Sequence, residues 1–136
     1  MKYFIIGATA DHVQLGVEQG IAQAGHGRYD HVSKMEKGDE IIYYSAKDKM
    51  DGGKPLLLFT AIGHVIDDKP YNVQVSDTFK PYRRDVKYLK SKTADIRPLI
   101  EQLSFIKNKK KWGFYLMSGF AEIPKEDFEL IRAAMV

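Results

Sequence analysis

Apolar residues in this chain come mostly in short runs, and these runs predict strands more often than helices. Residues 3–7 are rich in aromatic and β-branched side chains, which is typical of a buried strand. In residues 40–45 the alternation predicts a strand with two distinct faces, Ile41, Tyr43 and Ser45 on one and Ile42 and Tyr44 on the other. Further strands are predicted at residues 56–66, 71–75, 82–89, 114–117 and 120–123.

Glycines and turn residues divide these predicted strands. The Asp51-Gly52-Gly53 sequence is a strong hairpin signal between two of them. Gly63 interrupts the longest apolar run, which predicts a bulge or a sharp bend at that point. Residues 23–39 are polar and punctuated by glycines, so they predict a long loop that is a candidate for function.

Three short helices are predicted between and after the strands. Thr9 or Asp11 is suited to cap the first, because a side-chain oxygen there can accept an unpaired N–H of the first turn. Glycines limit this helix to an end near Gly20. The second helix is predicted over residues 95–103, and the third begins after Pro124.

Many short strands with glycine bends favour a small barrel that is closed or partly closed. The chain has 136 residues, 44% of them hydrophobic, which suits one domain with one core. We therefore predict a single α+β domain over residues 1–136, a barrel of about five to six strands flanked by short helices.

Charge is distributed unevenly along the chain, although the net charge is only +3. Residues 80–92 carry six cations against one aspartate, and residues 107–111 add four lysines. Residues 122–129 are acidic by comparison. One basic surface is therefore expected, and an anionic polymer is the natural partner for it.

The composition also limits the chemistry and the location. The chain contains no cysteine, which excludes disulfides, thiolate zinc sites and a cysteine nucleophile. No apolar run approaches the roughly 20 residues that cross a bilayer, and the apolar start is too short for a signal peptide. We expect a cytoplasmic protein that does not enter the membrane.

Residues 104–114, SFIKNKKKWGF, place the only tryptophan, Trp112, directly after a cluster of lysines. Closely spaced lysines repel one another, so we predict a loop that leads into a strand at Trp112. Such a loop offers charge that neutralises phosphate beside rings on which a base can stack. The alternative is a solvated turn before a core strand, with Trp112 buried by ordinary packing.

Enzymatic chemistry has weaker support in the sequence. The four histidines are scattered without zinc-site spacing, so we predict no metal site. We also predict no cofactor and no catalytic residue, since the sequence alone establishes no pair of carboxylates in unlike environments for acid–base catalysis. Asp85-Val86-Lys87 resembles half of a metal-dependent nuclease motif, for which the upstream partners would be Asp67, Asp68 or Asp77. A nuclease or other hydrolase that uses Asp85 and Lys87 is therefore one alternative, and a small-molecule sensor is another.

An ordered set of short motifs carries a family resemblance along nearly the whole chain. The motifs are Asp11-His12-Val13, Gly38-Asp39 before Tyr43-Tyr44-Ser45, Phe59-Thr60-Ala61-Ile62-Gly63, Tyr82-Arg83-Arg84, and Ser104-Phe105-Ile106 ahead of Trp112-Gly113-Phe114. In this combination the chain resembles the EVE domain family. The resemblance implies a PUA-like barrel, related to YTH and ASCH domains, that reads modified bases in DNA or RNA through a pocket. It implies no catalysis.

The resemblance also implies which residues form that pocket. It would lie at the end of the first strand. His12 is added on its own chemistry and not from the resemblance, because a histidine at a helix start can donate to a bound base or anion. The predicted base pocket consists of Ala8, Thr9, His12, Tyr44, Ser45, Arg84, Phe105, Trp112, Gly113 and Phe114. The predicted phosphate contacts are Lys47, Arg83, Lys107, Lys109, Lys110 and Lys111. The expected partner is RNA or DNA that carries a modified base, and no obligate protein partner is predicted.

This chain departs from the pattern of many family members at two positions. Phe4 stands in the first strand where many members carry tryptophan, and Thr9 stands where they carry serine. Both positions lie at or near the predicted pocket.

Overall fold

A curled sheet of eight strands forms an open half-barrel in the computed structural model, which describes residues 1–136. The strands are β1 (Tyr3–Gly7), β2 (Ile21–Ala22), β3 (Glu40–Lys47), β4 (Pro55–Val65), β5 (Tyr71–Asn72), β6 (Tyr82–Tyr88), β7 (Ala94–Asp95) and β8 (Phe120–Glu122). Their order in the sheet is β2-β6-β4-β3-β1-β8, while β5 pairs with β6 and β7 with β4. The predicted α+β class, with a barrel-like sheet, is confirmed.

Short helices fill the connections between the strands. They are α1 (Ala10–Gln19), α2 (Tyr29–Val32) and α3 (Lys125–Met135), with two 3₁₀ helices at Arg97–Gln102 and Lys109–Leu116. α1 ends as predicted at Gly20, whose φ of 68° lets its N–H donate to the carbonyls of Gly16 and Val17. None of the helices combines the length and the apolar character that crossing a bilayer requires.

The sheet separates two hydrophobic cores. Phe4, Ile6, Val13, Ile41 and Tyr43 belong to the core beneath α1, here called the α1-side core. The opposite face carries the α3-side core, which includes Ile5, Ile42, Tyr44, Phe59 and Phe128. Adjacent residues of β3 therefore point into different cores, and the predicted two-residue alternation of this strand is confirmed.

The hairpin between β3 and β4 carries a bulge, but not at the predicted residue. Tyr43 pairs with Ala61 and Tyr44 with Phe59, so Thr60 is the extra residue. Gly63 instead lies where β6 passes closely, because a Cβ at Gly63 would stand 2.6 Å from the Lys87 carbonyl oxygen. Close approach of the β6 backbone, and not the predicted bulge, is therefore the reason for a glycine at position 63.

The strand predicted at residues 114–117 is wrong, as is the strand start at Trp112. This segment forms the 3₁₀ helix Lys109–Leu116, for which Asn108 provides the cap by accepting a hydrogen bond from the Lys110 N–H at 3.1 Å. Trp112, Tyr115 and Leu116 pack against the α3-side core, and their spacing of three and four residues is helical and not the alternation of a strand. Lys107, Lys110 and Lys111 are exposed, and water and salt screen the repulsion between exposed charges.

Other short elements also differ from the sequence prediction. The predicted loop at residues 23–39 contains α2, and the predicted strand at 71–75 is only Tyr71–Asn72. The helix predicted over residues 95–103 is a 3₁₀ helix that begins at Arg97, because Asp95 belongs to β7 and accepts a hydrogen bond from the Arg97 N–H. β2, β5 and β7 have two residues each, so only their partner strands define them.

Candidate functional site

A cavity of about 550 Å³ opens beyond the carboxyl end of β1. Gly7 and Ala8 form its floor, α1 forms one side, and the segments around residues 23–26, 75–79 and 117–119 complete the wall. Its volume lies in the range of small-ligand pockets, roughly 300–1,000 Å³. This cavity is therefore large enough to enclose a planar group such as a base.

A pair of glycines brings the turn before β8 across the floor of the cavity. The Gly7 N–H donates to the Gly119 carbonyl at 2.8 Å, and a Cβ on Gly7 would stand 3.1 Å from the Gly119 Cα. Gly119 has a φ of 74°, in the left-handed region that favours glycine. This close approach places Met117 and Ser118 on the cavity wall.

The loop that was predicted as a candidate for function contributes the opposite wall. Its residues Gly25, His26 and Gly27 have φ values of 57°, 61° and 84°, so three consecutive residues are left-handed. A non-glycine residue in this region costs on the order of 1–3 kcal/mol, which the surrounding structure must offset. Gly27 supplies part of that support, because the Tyr82 N–H donates to its carbonyl at 2.8 Å. The loop thereby holds His26 on the cavity.

Apolar side chains surround the mouth of the cavity without being buried. Leu15, Val75, Phe79 and Met117 all line it, and they are 53%, 53%, 38% and 79% exposed. Scattered apolar residues on a surface need no explanation, but four of them around one cavity form a patch of the kind that is common at binding sites.

The polar wall of the cavity is cationic and rich in hydrogen-bond donors. No aspartate or glutamate lines the cavity, whereas Arg83, His12 and His26 do. The Arg83 Nε donates to the Gln23 Oε1 at 2.6 Å, and Arg83 forms no ion pair with a carboxylate. Burial raises the pKa of Tyr43 to about 12, so its hydroxyl keeps its proton at neutral pH. A neutral or anionic ligand with acceptor atoms suits this wall.

Three of the residues predicted for binding lie on this cavity. Ala8 and His12, predicted for the base pocket, line it together with Arg83, which was predicted to contact phosphate. Thr9 lies next to them but does not line the cavity, because its hydroxyl donates to the Asp11 carboxylate at 2.6 Å.

The structure places Tyr44, Ser45 and Arg84 away from the cavity. Tyr44 belongs to the α3-side core, where its ring centroid is 5.6 Å from that of Phe59. Ser45 is fully buried and shares a hydrogen bond of 2.8 Å with the Thr60 hydroxyl. Because side chains alternate along β3, the preceding residue, Tyr43, lines the cavity in place of Tyr44.

Arg84 is fully buried and satisfied by the chain itself. Its Nε donates to the Asp67 carboxylate at 2.7 Å, and its other nitrogens donate to the carbonyls of Val32, Met35 and Asp67. The Asp67 carboxylate also accepts from the Asp85 N–H at 2.8 Å. These contacts join α2 and the β4–β5 connection to β6, so the geometry gives Arg84 a structural role.

The aromatic residues of the lysine-rich segment also lie outside the cavity. Phe105 and Trp112 are half-buried against the α3-side core, and the Phe105 N–H donates to the buried Asp127 at 2.8 Å. Gly113 is exposed, and Phe114 is 70% exposed. None of these four residues lines the cavity with Ala8 and His12.

The predicted phosphate contacts are mostly free on the surface. Lys47, Lys107, Lys110 and Lys111 are exposed, and none of them forms an ion pair. Lys109 differs, because its Nζ donates to the Leu103 carbonyl at 2.8 Å. The lysine-rich segment continues directly into Met117 and Ser118 on the cavity wall, so charge and cavity are connected along the chain.

Two of the carboxylates of the nuclease alternative, Asp85 and Asp67, are engaged within the chain. Asp85 accepts a hydrogen bond of 2.6 Å from the Tyr71 hydroxyl, and Asp67 is held by Arg84. No group of three or more histidine, aspartate or glutamate side chains is arranged to hold a metal ion.

Sequence reasoning missed most of the cavity wall. Gln23, His26, Phe79 and Met117 come from three separate segments, which only the folded chain brings together. A signal existed for His26, because two glycines flank it in a polar segment. Isolated apolar residues in otherwise polar segments gave a weaker signal for Phe79 and Met117.

Comparison with known proteins places this architecture in a family. The family model for the EVE domain matches residues 2–134. A UPF0310 protein of Mycolicibacterium gilvum is 43% identical over 135 residues, which covers 99% of this chain and 96% of the relative. The UPF0310 protein YdcG of Bacillus subtilis is 38% identical over 134 residues and covers 98% of this chain and 92% of its own length.

Solved structures share the fold at low sequence identity. The Mmi1 YTH domain in complex with RNA has a TM-score of 0.60 at 11% identity and covers 98% of this chain and 77% of its own. Human THYN1, in complex with DNA that contains 5-methylcytosine, has a TM-score of 0.54 at 9% identity and covers 98% of this chain and 96% of its own. The family match along almost the entire length and this shared architecture show that the chain belongs to the EVE domain family.

Proposed function

We propose that this chain is a non-enzymatic module that binds RNA or DNA and accommodates one modified base, turned out of its strand, in the cavity beyond β1. The observation that carries the proposal is the cavity itself, with its apolar mouth, its unpaired Arg83 and no carboxylate on its wall. The fold gives support, because related folds have been captured with RNA and with DNA that contains 5-methylcytosine.

The energetics of base extrusion assign roles to the two parts of this surface. Stacking of a base on an aromatic or apolar side chain contributes about 1–3 kcal/mol. Unstacking the same base from its strand costs a few kcal/mol, so the stacking free energy gained in the cavity roughly offsets that cost and leaves little net affinity. Phosphate contacts from exposed cations, Lys110 and Lys111 among them, supply the remaining affinity.

The first experiment is a fluorescence anisotropy titration of oligonucleotides that differ only in one modified base, at about 50 and 200 mM salt. We expect salt-dependent binding and a preference for one modification. Phe79→Ala removes a ring at the cavity mouth and is expected to reduce the preference by about fivefold to tenfold, within the range of one stacking contact. Phe114→Ala is the matched control, because Phe114 is also exposed but lies away from the cavity.

The lysines give a second readout in the same titration. Replacing Lys110 and Lys111 by alanine is expected to lower affinity for all sequences alike and to reduce the salt slope by about 1.4, at ~0.7 per phosphate contact on a single strand.

Three outcomes would contradict the proposal. Binding to no oligonucleotide at either salt concentration would exclude it, and binding of free modified nucleosides alone would favour the small-molecule sensor. Cleavage of DNA or RNA in the presence of magnesium or manganese, abolished by Asp85→Asn, would favour the nuclease.

A further inference from the structure

We infer that the cavity selects a base edge that presents two adjacent hydrogen-bond acceptors, and that Gln23 and Arg83 together are the residues that read it. Guanine, through O6 and N7, and cytosine, through O2 and N3, offer such an edge. Adenine and thymine or uracil do not, because donors and acceptors alternate along their edges. The inference rests on the proposed function and goes further by naming the class of base.

Gln23 is held at its backbone by a buried tyrosine. The Gln23 N–H donates to the Tyr43 hydroxyl at 3.2 Å, and that hydroxyl donates in turn to the Gln23 carbonyl at 2.9 Å. Tyr43 is only 4% exposed and belongs to the α1-side core, so it has little freedom to move. The polar wall is therefore positioned before any ligand arrives, which lowers the cost of ordering it on binding.

Arg83 fixes the orientation of the Gln23 side chain. The guanidinium has donors only, so the Gln23 atom 2.6 Å from the Arg83 Nε is the amide oxygen, Oε1. The Gln23 Nε2 then carries the two free N–H groups, and it makes no hydrogen bond within the chain. Gln23 lines the cavity, so these donors are the ones available to a ligand.

Arg83 itself adds donors beside the Gln23 amide. Its Nη groups make no hydrogen bond within the chain, and no carboxylate pairs with them. Since its Nε contacts Gln23 directly, the two sets of free donors are neighbours on one wall. Ser118 differs from this pair, because its hydroxyl already donates to the Phe120 carbonyl at 2.9 Å and so offers a ligand only an acceptor oxygen.

The free donors of Gln23 and Arg83 discriminate between bases through the groups that they leave unpaired. Two acceptors of guanine or cytosine each receive an N–H, whereas the amino group of adenine would face the Arg83 cation that already donates to Oε1. Glutamine reads adenine in other proteins by offering its oxygen and its nitrogen together, and Arg83 competes for that oxygen here. Methylation at C5 of cytosine leaves O2 and N3 free, so modification and edge recognition are compatible.

The test compares single-stranded oligothymidines that carry one central cytosine, 5-methylcytosine, guanine or adenine, with unsubstituted oligothymidine as the reference. Anisotropy titrations are expected to give about tenfold tighter binding of the cytosine-type or the guanine oligomer than of the adenine oligomer, the discrimination of one good paired contact.

Gln23→Glu is the discriminating variant, because it keeps the shape and the contact with Arg83 but replaces the free N–H groups by an acceptor oxygen. We expect it to lose about tenfold in affinity for the preferred oligomers, with no comparable loss for adenine. Gln102→Glu makes the same charge change at an exposed residue away from the cavity and is expected to alter all affinities alike. Circular dichroism melts of both variants check that the fold is retained.

The outcomes separate this inference from the proposed function. Salt-dependent binding with a preference for adenine or thymine, or an unchanged preference in Gln23→Glu, would overturn the inference and leave the binding module standing. Binding to none of the oligomers would overturn the proposed function, and the inference with it.

Discussion

Neighbouring residues of this protein have different roles, and two pairs show why. Tyr43 lines the cavity, whereas Tyr44 packs in the α3-side core. Arg83 reaches the cavity, whereas Arg84 is fully buried against Asp67. Successive side chains of a strand point to opposite faces of the sheet. A motif that contains two adjacent strand residues therefore does not indicate which of the two faces the cavity.

The first prediction concerns Arg84 and uses that alternation. Arg84→Leu leaves the largely buried Asp67 carboxylate and the carbonyls of Val32 and Met35 without their donor. We expect the free energy of unfolding to fall by about 3–5 kcal/mol, the cost of breaking one side of a buried pair. Urea unfolding followed by circular dichroism measures this loss.

Oligonucleotide binding supplies the second readout for this variant. The affinity of the folded fraction is expected to stay within about twofold of the wild type, because Arg84 does not line the cavity. Arg97→Leu is the control, since Arg97 pairs with Asp95 on the surface and its loss is expected to be much smaller. Loss of binding at undiminished stability would instead return Arg84 to the base pocket.

At the scale of elements, the sequence pattern predicted the features that depend on residues close together in the chain. The faces of β3 follow from its alternation, and the end of α1 follows from Gly20. The two-residue strands and the 3₁₀ helix Lys109–Leu116 depend on partners distant in sequence, so periodicity contained no signal for them. The site was predictable only in part for the same reason, because separate loops meet at the end of β1.

The second prediction concerns the turn before β8. Gly119→Ala forces a Cβ into the left-handed region at a φ of 74°, which costs about 1–2 kcal/mol of unfolding free energy. The strain acts on the turn that places Met117 and Ser118 on the cavity wall, so oligonucleotide affinity is also expected to fall.

Gly38→Ala provides the matched control for this turn. Gly38 has a φ of 93° and nothing within 4 Å of an added Cβ, so it carries the same kind of backbone strain without crowding. We expect a similar loss of stability and no change in affinity, because Gly38 lies outside the cavity. Equal changes in affinity for both variants would show that the turn does not shape the site.

At the scale of the whole molecule, the sheet separates the side that carries the cavity from the side that carries the α3-side core. The α1-side core ends at the cavity, and the α3-side core receives the motif aromatics Phe105 and Trp112. The family motif therefore identified the fold correctly, although much of it serves packing. Tyr43 and Tyr44 lie on opposite sides of this division, so they can test it.

The last prediction uses the alkaline pH dependence of stability. Burial raises the pKa of both Tyr43 and Tyr44 to about 12, from an ordinary value near 10. At a pH between these two pKa values, the unfolded chain releases the phenolic protons that the folded chain retains. The folded state then binds more protons, so the free energy of unfolding falls as pH rises from about 10 towards 12. Either Tyr43→Phe or Tyr44→Phe is expected to make that decline shallower.

At neutral pH the same two variants are expected to differ. Tyr43→Phe leaves the N–H and the carbonyl of Gln23 without their partner, which lowers the free energy of unfolding by about 1–3 kcal/mol. The same loss makes the Gln23 backbone more mobile, so oligonucleotide affinity is also expected to fall. The Tyr44 hydroxyl has no partner within the chain, so Tyr44→Phe changes stability little and leaves oligonucleotide affinity unchanged. Urea unfolding at neutral and alkaline pH, together with anisotropy titration, measures all of these quantities. Equal losses of stability and affinity at neutral pH would show that the sheet does not divide the two roles.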